Sequence, residues 1–368
     1  MYPIGTLYPS QNGGPSNTVY WMAKGLVSKG IEVTCISTSL GIDEKNIKLD
    51  EWFNTDYGRV MYTKDKIHSF PIKWMYHSFK EIKRHDIIHL NSLFYFPSII
   101  LSMICVLLNK KLVWSVRGTL EDSALKISPI KKKLALFLVN QMKHKIIFHS
   151  TSSQESASVK TNLGNNNTTI EIPNFIEIPL LIERELSEKK ELLYLGRLHP
   201  IKAIDQLILA LAQSEIFNKD SNSYLNIAGV GTIEYTDYLK SLVCKNKLEN
   251  KVSFLGQIEG LEKQRVIANS YFCILPSYSE NFGNVVLEAL AQSTPVIASK
   301  GCPWKILEEE NAGFWIENDV LSLKNQIEFI LNLNQNSYLE FRKKAYLLAS
   351  KYDIKHNNEK WTEIYSQF

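Results

Sequence analysis

Short apolar runs alternate with longer amphipathic stretches along the chain. The first half contains five runs rich in β-branched residues: IEVTCIS (31–37), RVMYT (59–63), DIIHL (86–90), KLVWSV (111–116) and KIIFHS (145–150). The stretches 16–30 and 129–143 between them are predicted to be helices. Strands that are apolar on both faces and alternate with helices are typical of parallel sheets.

The second half repeats this pattern after an interruption. Its predicted strands are ELLYLG (191–196), SYLNIAG (223–229), KVSFLG (251–256), YFCILP (271–276) and TPVIAS (294–299). The interruption, 172–190, contains two prolines and ends in a run of charges, which indicates a linker. We therefore predict an α/β fold of two Rossmann-like domains, 1–173 and 174–351, whose parallel sheets face each other across a cleft.

The longest apolar run, LFYFPSIILSMICVLL, covers 93–108. Its 16 residues include a proline and fall short of the roughly 20 that a membrane-spanning helix needs. A buried helix between two strands is the better interpretation. The N-terminus has no charged region followed by an apolar stretch and a cleavage site, so no signal peptide is predicted. We expect a cytoplasmic protein.

The basic and acidic residues are distributed unevenly along the chain. Hydrophobic residues make up 45% and charged residues 22%, as in a folded protein, and the net charge of +4 is too small to indicate a nucleic-acid partner. Up to residue 182 there are 21 Lys and Arg against 14 Asp and Glu, and after it 21 against 24. The basic first half fits an anionic membrane or acceptor, and equally a solvated helix surface.

The five cysteines, at positions 35, 105, 244, 273 and 302, have no paired spacing. We expect free thiols, as in a reducing compartment. No group of cysteine and histidine has the spacing of zinc ligands, so no metal site is predicted.

Two glycine turns follow predicted strands, the first of which is a short strand within the first 12 residues. In NGGPSN (12–17), Gly13 and Gly14 would let backbone N–H groups approach an anion at the start of the first helix. In AGVGTIEY (228–235), Gly229 would allow close approach of a base or ribose. Alternatively, both segments are simply tight turns that bind no ligand.

A third loop after a strand, LGRLHPIKAID (195–205), carries two cations. Arg197 and Lys202 lie five residues apart in it. The forked guanidinium of arginine and the compact charge of lysine are both suited to binding a pyrophosphate. However, one exposed basic pair is usually only a surface feature.

The stretch SYSENFGNVVLEALAQSTPVIAS (277–299) places two acids eight residues apart. Glu280 lies in a loop, and Glu288 lies in an apolar helix predicted to begin near Gly283. Eight helical residues span about 12 Å, which is comparable with the length of a sugar nucleotide. The N–H groups expected to face an anion between the acids belong to Asn281, Phe282 and Gly283. A salt bridge is the alternative role of Glu288.

Together and in this order, these segments resemble the family 4 retaining glycosyltransferases, which have the GT-B fold. The most specific element is the E-x7-E signature formed by Glu280 and Glu288. GRLHPIK is similar to the family's diphosphate clamp, NGGPSN to its N-terminal glycine loop and PNFIEI to the segment that opens its hinge. WSVRGTLEDSAL (114–125) and GCPWKILEEENAGFW (301–315) resemble segments of the polysaccharide-assembly members.

The resemblance implies transfer of a sugar, with retained anomeric configuration, from a nucleoside diphosphate sugar to a hydroxyl of a glycan acceptor. The expected acceptor is linked to polyprenyl diphosphate, in the synthesis of a bacterial surface polysaccharide such as O-antigen or capsule. No metal or cofactor is expected. The protein would be cytoplasmic, with peripheral contact to anionic lipid on the inner face of the membrane. A terminal helix, about 352–368, would pack back onto the first domain.

The resemblance also implies roles for individual residues. Arg197 and Lys202 would neutralise the leaving diphosphate, and Glu280 would hold sugar hydroxyls, so these three are the expected catalytic residues. Glu288 would hold the ribose. The other expected donor contacts are Gly13, Gly14, Gly229, Asn281, Phe282 and Gly283. Arg117 is expected on the acceptor side or at a phosphate.

The sequence departs from the family pattern at three positions. Ala203 follows Lys202 where glycine is usual, and no glycine precedes the Pro-Val strand in the run QSTPV (292–296). Arg117 stands near the position where many members have histidine. Two other functions remain open: another GT-B enzyme, such as a nucleotide-sugar epimerase, and a scaffold without activity.

Overall fold

The computed structural model describes residues 1–10, 14–45, 47–126, 128–184 and 188–367. The chain forms two compact units, one made of Met1–Glu177 with the segment from Asp353 onward, and the other of Ile178–Tyr352. The first crossing between units thus lies four residues after the predicted boundary at 173.

Helices and strands alternate through both units. Those before the first crossing are β1 (Tyr2–Ile4), α1 (Gly14–Ser28), β2 (Thr34–Thr38), β3 (Phe53–Thr55), β4 (Gly58–Thr63), α2 (Ile72–Ile82), β5 (Ile87–Asn91), α3 (Phe96–Leu107), β6 (Lys111–Ser115), α4 (Asp122–Leu125), α5 (Pro129–Met142), β7 (Ile146–Ser150), α6 (Ser153–Leu163) and β8 (Thr168–Glu171).

The second unit continues the alternation. Its elements are β9 (Lys190–Leu195), α7 (Ile204–Gln213), α8 (Glu215–Lys219), β10 (Ser223–Ala228), α9 (Ile233–Lys245), β11 (Val252–Gly256), α10 (Gly260–Asn269), β12 (Phe272–Leu275), α11 (Asn284–Ala291), β13 (Val296–Ser299), α12 (Ile306–Glu309), β14 (Gly313–Ile316), α13 (Val320–Leu331) and α14 (Gln335–Ser350). The chain then returns to the first unit as α15 (Ile354–Ser366).

The first unit has two four-stranded sheets, ordered β1-β2-β4-β3 and β5-β6-β7-β8. All neighbours are parallel except β3 and β4, which form an antiparallel hairpin. The N–H of His89 on β5 donates to the carbonyl of Met1 at 2.9 Å, so the two sheets meet beside β1. Helix α15 packs against α1 of the same unit.

The second unit has one parallel sheet of six strands, ordered β11-β10-β9-β12-β13-β14. Its core joins the central strands to the helices around them, through buried side chains such as Leu192, Ile208, Leu225, Phe272 and Ile327. The apolar strands predicted from the sequence therefore lie at the centre of a covered sheet.

The strands predicted from apolar runs are all present, with shifted ends. IEVTCIS, for example, forms a strand only from Thr34. The runs do not include β1, β3, β8 or β14, and the last three are edge strands with partly exposed side chains. An edge strand is less covered and so lacks the continuous apolar pattern of a central one.

The apolar run 93–108 forms α3 between β5 and β6, as predicted. The prediction of a buried helix is correct for one face only, because Phe96 is 52% exposed and Leu107 83% exposed on the other. In the described ranges, no helix has the length and apolar character needed to cross a bilayer. The expected free thiols are confirmed, with Cys244 exposed and the other four buried.

A chain of hydrogen bonds runs through buried side chains of the first unit, from α15 to the end of β8. The hydroxyl of Tyr365 lies 2.7 Å from Nδ1 of His89. Nε2 of His89 lies 2.7 Å from Oγ of Ser115, which lies 2.6 Å from Nδ1 of His149. Nε2 of His149 lies 2.9 Å from the carbonyl oxygen of Ile172.

The last of these bonds sets the direction of the others. A carbonyl only accepts, so Nε2 of His149 carries the hydrogen, and Nδ1 of the neutral ring accepts from Ser115. Ser115 then accepts from Nε2 of His89, whose Nδ1 accepts from Tyr365. Tyr2, 2.7 Å from the Tyr365 hydroxyl, is the first donor. Every member therefore has its polar atoms satisfied.

Burial keeps both imidazoles of this chain neutral. It lowers the pKa of His149 to about 3, and the nearby charge of Arg117 acts in the same direction. Burial, the other imidazole and Arg117 together hold the pKa of His89 well below its usual value. A protonated ring donates from both nitrogens and cannot accept the hydrogen bond at Nδ1, so these hydrogen bonds require the neutral forms.

We predict that acid destabilises the protein through His149. The unfolded chain binds a proton there below about pH 6.5, whereas the folded protein does not until about pH 3, so stability falls as the pH drops between these values. This group contributes a slope of about 1.4 kcal/mol per pH unit. In urea unfolding from pH 7 to pH 5, His149→Gln should be less stable at pH 7 and have a shallower pH slope.

The control is His144→Gln, since His144 is exposed on the same unit. That variant should keep the wild-type slope. An unchanged slope in His149→Gln would show that the buried ring does not cause the acid sensitivity.

Candidate active site

Four loops meet at the carboxyl edge of the six-stranded sheet. They follow β10, β9, β12 and β13, which are consecutive neighbours in that order. In open parallel sheets, ligands bind beyond this edge. The loops bring together all the predicted site residues of the second unit that follow a strand directly, while Glu288 lies further on, within α11.

Glycines let the loops after β9 and β10 approach each other closely. Gly229 has a φ of 139°, and a Cβ there would lie 1.8 Å from the carbonyl oxygen of Gly196. A Cβ at Gly231 would lie 2.2 Å from the carbonyl oxygen of Leu198, whose N–H donates to Val230 at 2.9 Å. Gly229 is therefore required by backbone contact, whatever it binds.

Lys202 and Glu280 form an ion pair between Nζ and Oε1. The pair joins the loop after β9 to the loop after β12, and the side chains are only 17% and 14% exposed. Ser277 donates through Oγ to the same carboxylate oxygen at 3.0 Å. The sequence predicted both charges for the site but neither their pairing nor the role of Ser277.

Backbone hydrogen bonds fix the loop that carries Glu280. The N–H of Tyr278 donates to the carbonyl of Ile201 at 2.9 Å, and the N–H of Glu280 donates to the carbonyl of Gly301 at 2.9 Å. A Cβ at Gly301 would lie 2.4 Å from the carbonyl oxygen of Tyr278. The position of the carboxylate therefore depends on three loops at once.

Arg197 lies in the same loop as Lys202, with its side chain exposed. The hydroxyl of Tyr194 donates to the carbonyl of Arg197 at 3.0 Å and so fixes its backbone. His199, which the sequence did not single out, lies between the two cations. Desolvation and then the charges of Arg197 and Lys202 lower its pKa, so the loop favours a neutral imidazole.

Helix α11 begins at Asn284, close to the predicted start. Gly283 precedes it in the left-handed conformation, with a φ of 78°. The residues between Glu280 and Gly283 are not helical, so the expected span of about 12 Å, which assumed eight helical residues, does not apply.

Trp304 supports the loop ahead of α11. Its indole N–H donates to the carbonyl of Phe282, and the two rings lie 5.0 Å apart. Tyr352 packs against the indole at 5.5 Å. Phe282 is therefore buried in an aromatic cluster, 5% exposed, and any donor contact would come from its backbone. The segment GCPW contained Trp304, but the sequence did not suggest this contact.

Glu288 forms an ion pair with Lys263, with 2.8 Å between Oε1 and Nζ. The side chains are 23% and 26% exposed, respectively, and Lys263 comes from α10. The salt bridge that the sequence suggested as an alternative role of Glu288 is present. Sequence spacing could not identify Lys263 as the partner. The predicted ribose contact of Glu288 stays a prediction.

The two positions where glycine is missing from the family pattern adopt left-handed backbone conformations. Ala203 has a φ of 50° and Ser293 a φ of 61°. Glycine adopts this conformation without steric cost, whereas other L-residues are strained in it by roughly 1 kcal/mol. Ser293 gains in return a hydrogen bond from its Oγ to the carbonyl of Arg342 at 2.8 Å.

Arg117 lies in the first unit, after β6, and its side chain is buried. Nε donates to Oδ1 of Asn91 and Nη1 to Oδ1 of Asn174, both at 3.1 Å. Burial lowers the pKa of Arg117 to about 10, while the carboxylate of Glu155 opposes this shift. The guanidinium thus remains charged at neutral pH and ties the end of β5 to the segment that leaves the unit.

Gly14, the first residue of α1, accepts through its carbonyl from Oγ1 of Thr18 at 3.1 Å. Gly13, also predicted as a donor contact, lies outside the described residues. Across the described ranges, no three His, Cys, Asp or Glu side chains come together as metal ligands.

Comparison with known proteins finds similarity to glycosyltransferases over part of the chain. The family model "Glycosyl transferases group 1" matches residues 182–348, which contain Arg197, Lys202, Glu280 and Glu288. An uncharacterized glycosyltransferase of Methanocaldococcus jannaschii is 35% identical over 130 residues, covering 35% of this chain and 32% of that protein. The matched segments span between 24% and 55% of the first three curated relatives.

Solved structures extend the similarity to nearly the whole chain. A sucrose-phosphate synthase from Thermosynechococcus elongatus has a TM-score of 0.80 at 20% identity, covering 99% of this chain and 95% of that one. Anabaena HepE in complex with UDP-glucose has a TM-score of 0.76 at 19% identity, covering 99% of both chains. The predicted fold class, two Rossmann-like domains of the GT-B type, is confirmed.

We predict that Gly301→Ala destabilises the second unit and misplaces Glu280. The new methyl group would meet the carbonyl oxygens of Ser277 and Tyr278 at 2.5 and 2.4 Å, and backbone atoms there have little freedom to move. Overpacking of this kind costs about 1–3 kcal/mol, to be measured by urea unfolding.

The matched control is Gly5→Ala, where the nearest atom would lie at 3.5 Å, an ordinary contact. That variant should stay within about 0.5 kcal/mol of wild type. Equal stability of the two variants would contradict the close approach of the loops at Gly301.

Proposed function

We propose that the protein transfers a sugar from a nucleoside diphosphate sugar to a hydroxyl of a glycan acceptor, with retention of the anomeric configuration. The observation that carries the proposal is the shielded Lys202–Glu280 pair beside Arg197 at the carboxyl edge of the sheet. The pair lies within the segment that matches the glycosyltransferase family.

Breaking the bond between sugar and diphosphate requires stabilisation of the negative charge that develops on the leaving group. Arg197 and Lys202 supply two cations from one loop, and a charge that is already held in a partly shielded site, as that of Lys202 is, needs little reorganisation during the reaction. Lys202 is oriented by Glu280 before any ligand arrives. We propose that these cations act without a metal or another cofactor, and that no side chain serves as a nucleophile.

The two acids would recognise opposite ends of the donor. Carboxylates accept hydrogen bonds from hydroxyl groups, and we assign the sugar to Glu280 and the ribose to Glu288. Ser277 orients the first carboxylate and Lys263 the second. The structural similarity to Anabaena HepE, which was solved in complex with UDP-glucose, supports a nucleoside diphosphate sugar as donor. The remaining proposed donor contacts are Gly13, Gly14, Gly229, Asn281, Phe282 and Gly283.

We propose a glycan linked to polyprenyl diphosphate as the acceptor, in the synthesis of a bacterial surface polysaccharide. The support is the similarity of the segments around Arg117 and Trp304 to those of polysaccharide-assembly enzymes. Because the Arg117 guanidinium is buried against Asn91 and Asn174, we propose that it positions these residues near the acceptor. The protein would act at the inner face of the membrane.

The first test replaces both cations, Arg197→Ala with Lys202→Ala. Transfer to a lipid-linked oligosaccharide acceptor should fall by at least about a hundredfold, since charge stabilisation of this kind is worth several kcal/mol. The wild-type product should retain the anomeric configuration by NMR, and transfer should persist in EDTA.

The control for this test is Lys240→Ala with Lys245→Ala, two exposed lysines on α9. It should transfer at the wild-type rate. Full activity in the Arg197 and Lys202 double variant would refute the assignment of the leaving-group site, and an inverted product would refute the proposed stereochemistry.

A second test separates the roles of the two acids. Glu280→Gln should weaken binding of the nucleotide sugar more than binding of the nucleoside diphosphate, because only the former carries the sugar. Glu288→Gln should weaken both ligands by the same factor, since both carry the ribose. Ligand binding raises thermal stability, so the shift in unfolding temperature measures each change across UDP, GDP and their sugars. The opposite pattern would exchange the two assignments.

A further inference from the structure

The first unit exposes an unusual amount of apolar surface on the outer side of α2, α3 and α5. On α2, Ile72, Tyr76 and Phe79 lie on one face at a spacing of four and three residues, and on α5 Ile130, Leu134 and Phe137 repeat this spacing. Their side chains are between 38% and 83% exposed. Large apolar residues in such stripes normally face a core.

Helix α3 adds a third stripe between the other two. Phe96, Met103 and Leu107 lie on one face of it, and they are 52%, 38% and 83% exposed. Helix α3 contacts both α2 and α5. The opposite sides of all three helices enter one core, for example through Trp74, Ile99 and Val139. The three stripes therefore lie side by side on the outside of the unit, and we call them the three-helix face.

Positive charge accompanies these stripes. Between Asp122 and Glu155 the sequence contains six lysines and no acid. Lys131 and Lys133 are exposed on α5, and Lys133 lies four residues before Phe137 on the same side. The face is thus both apolar and basic, which agrees with the excess of positive charge in the first half of the chain.

Two lysines, one on α2 and one directly after it, lie over the exposed rings of this helix. Nζ of Lys80 is 4.4 Å from the ring centre of Tyr76, and Nζ of Lys83 is 4.8 Å from that of Phe79. An ammonium group above an apolar ring, with its stem along it, is suited to the boundary between headgroups and acyl chains. Two copies of such a basic face would repel each other, and a nucleic acid would leave the apolar stripes uncovered.

We infer that the three-helix face binds the surface of an anionic lipid bilayer, with the apolar stripes at the level of the acyl chains and the lysines at the headgroups. The inference deepens the proposed function, because a polyprenyl-linked acceptor resides in the bilayer. It names α2, α3 and α5 as the contacting elements. No transfer reaction is needed to test it.

The test is sedimentation of the purified full chain with vesicles. Wild-type protein should bind vesicles of phosphatidylcholine with 30% phosphatidylglycerol at least about tenfold more tightly than vesicles of phosphatidylcholine alone, and salt should weaken the binding. Lys131→Glu with Lys133→Glu should weaken binding to the anionic vesicles at least about tenfold. Lys240→Glu with Lys245→Glu, the same charge change on α9, should leave it unchanged.

The apolar stripes are tested by Leu134→Gln with Phe137→Gln, whose side chains are 61% and 60% exposed. Binding to the anionic vesicles should again fall at least about tenfold. The matched control is Leu321→Gln with Leu339→Gln, at 62% and 50% exposure in the second unit, which should bind like wild type. Thermal unfolding of each variant should match wild type, since none of these side chains belongs to a core.

Three results would overturn the inference. They are equal binding to neutral and anionic vesicles, unchanged binding by either face variant, and a dimer that Leu134→Gln with Phe137→Gln converts to a monomer without affecting vesicle binding. Each variant is also tested for thermal stabilisation by nucleotide sugars. A face variant that no longer binds vesicles but still binds nucleotide sugars would support the role of the three-helix face in membrane binding. If wild-type protein bound no nucleotide sugar, that result would count against the proposed function alone.

Discussion

Lys202 and Glu280 bind each other at a point where both are largely shielded from water. A charge in that position needs its partner, because removal of one would leave the other uncompensated. The loops after β9 and β12 must therefore meet, and the backbone bonds of Tyr278 and Glu280 hold them there. Gly301 permits this approach by having no side chain. The arrangement of the site thus follows from the need to pair these two charges, which lie on loops of adjacent strands.

Central elements could be predicted from the sequence because their environment leaves a strong pattern. A strand covered on both faces must be apolar throughout, and a helix start such as Gly283 is marked by the change from polar loop to apolar run. The charges of Arg197, Lys202 and Glu280 could be placed at one edge because parallel strands end together. The edge strands β3, β8 and β14 and the outer face of α3 gave no such signal, because polar and apolar side chains are both tolerated where they contact solvent.

Contacts between distant segments could not be predicted. Lys263 reaches Glu288 from another helix, and the indole of Trp304 reaches a backbone carbonyl, so neither contact has a fixed sequence spacing. Arg117 was expected on the acceptor side or at a phosphate, and no sequence spacing indicated that its guanidinium is buried between two amides. The sequence showed that glycine is absent at two positions of the family pattern. Only the backbone angles of Ala203 and Ser293 reveal that both positions keep the left-handed conformation without it.

The hydrogen-bonded chain from Tyr2 to Ile172 has a polarity, since each hydroxyl or ring donates in the same direction. Only one arrangement of its protons satisfies every member. Undocking of α15 would remove the Tyr365 donor and leave Nδ1 of His89 unsatisfied in a dry interior. The hydrogen-bonded chain thereby links the docking of the terminal helix to the backbone of Ile172, five residues before the first unit ends at Glu177. The docked position of α15 and the backbone after β8 are thus coupled through one ordered set of buried protons.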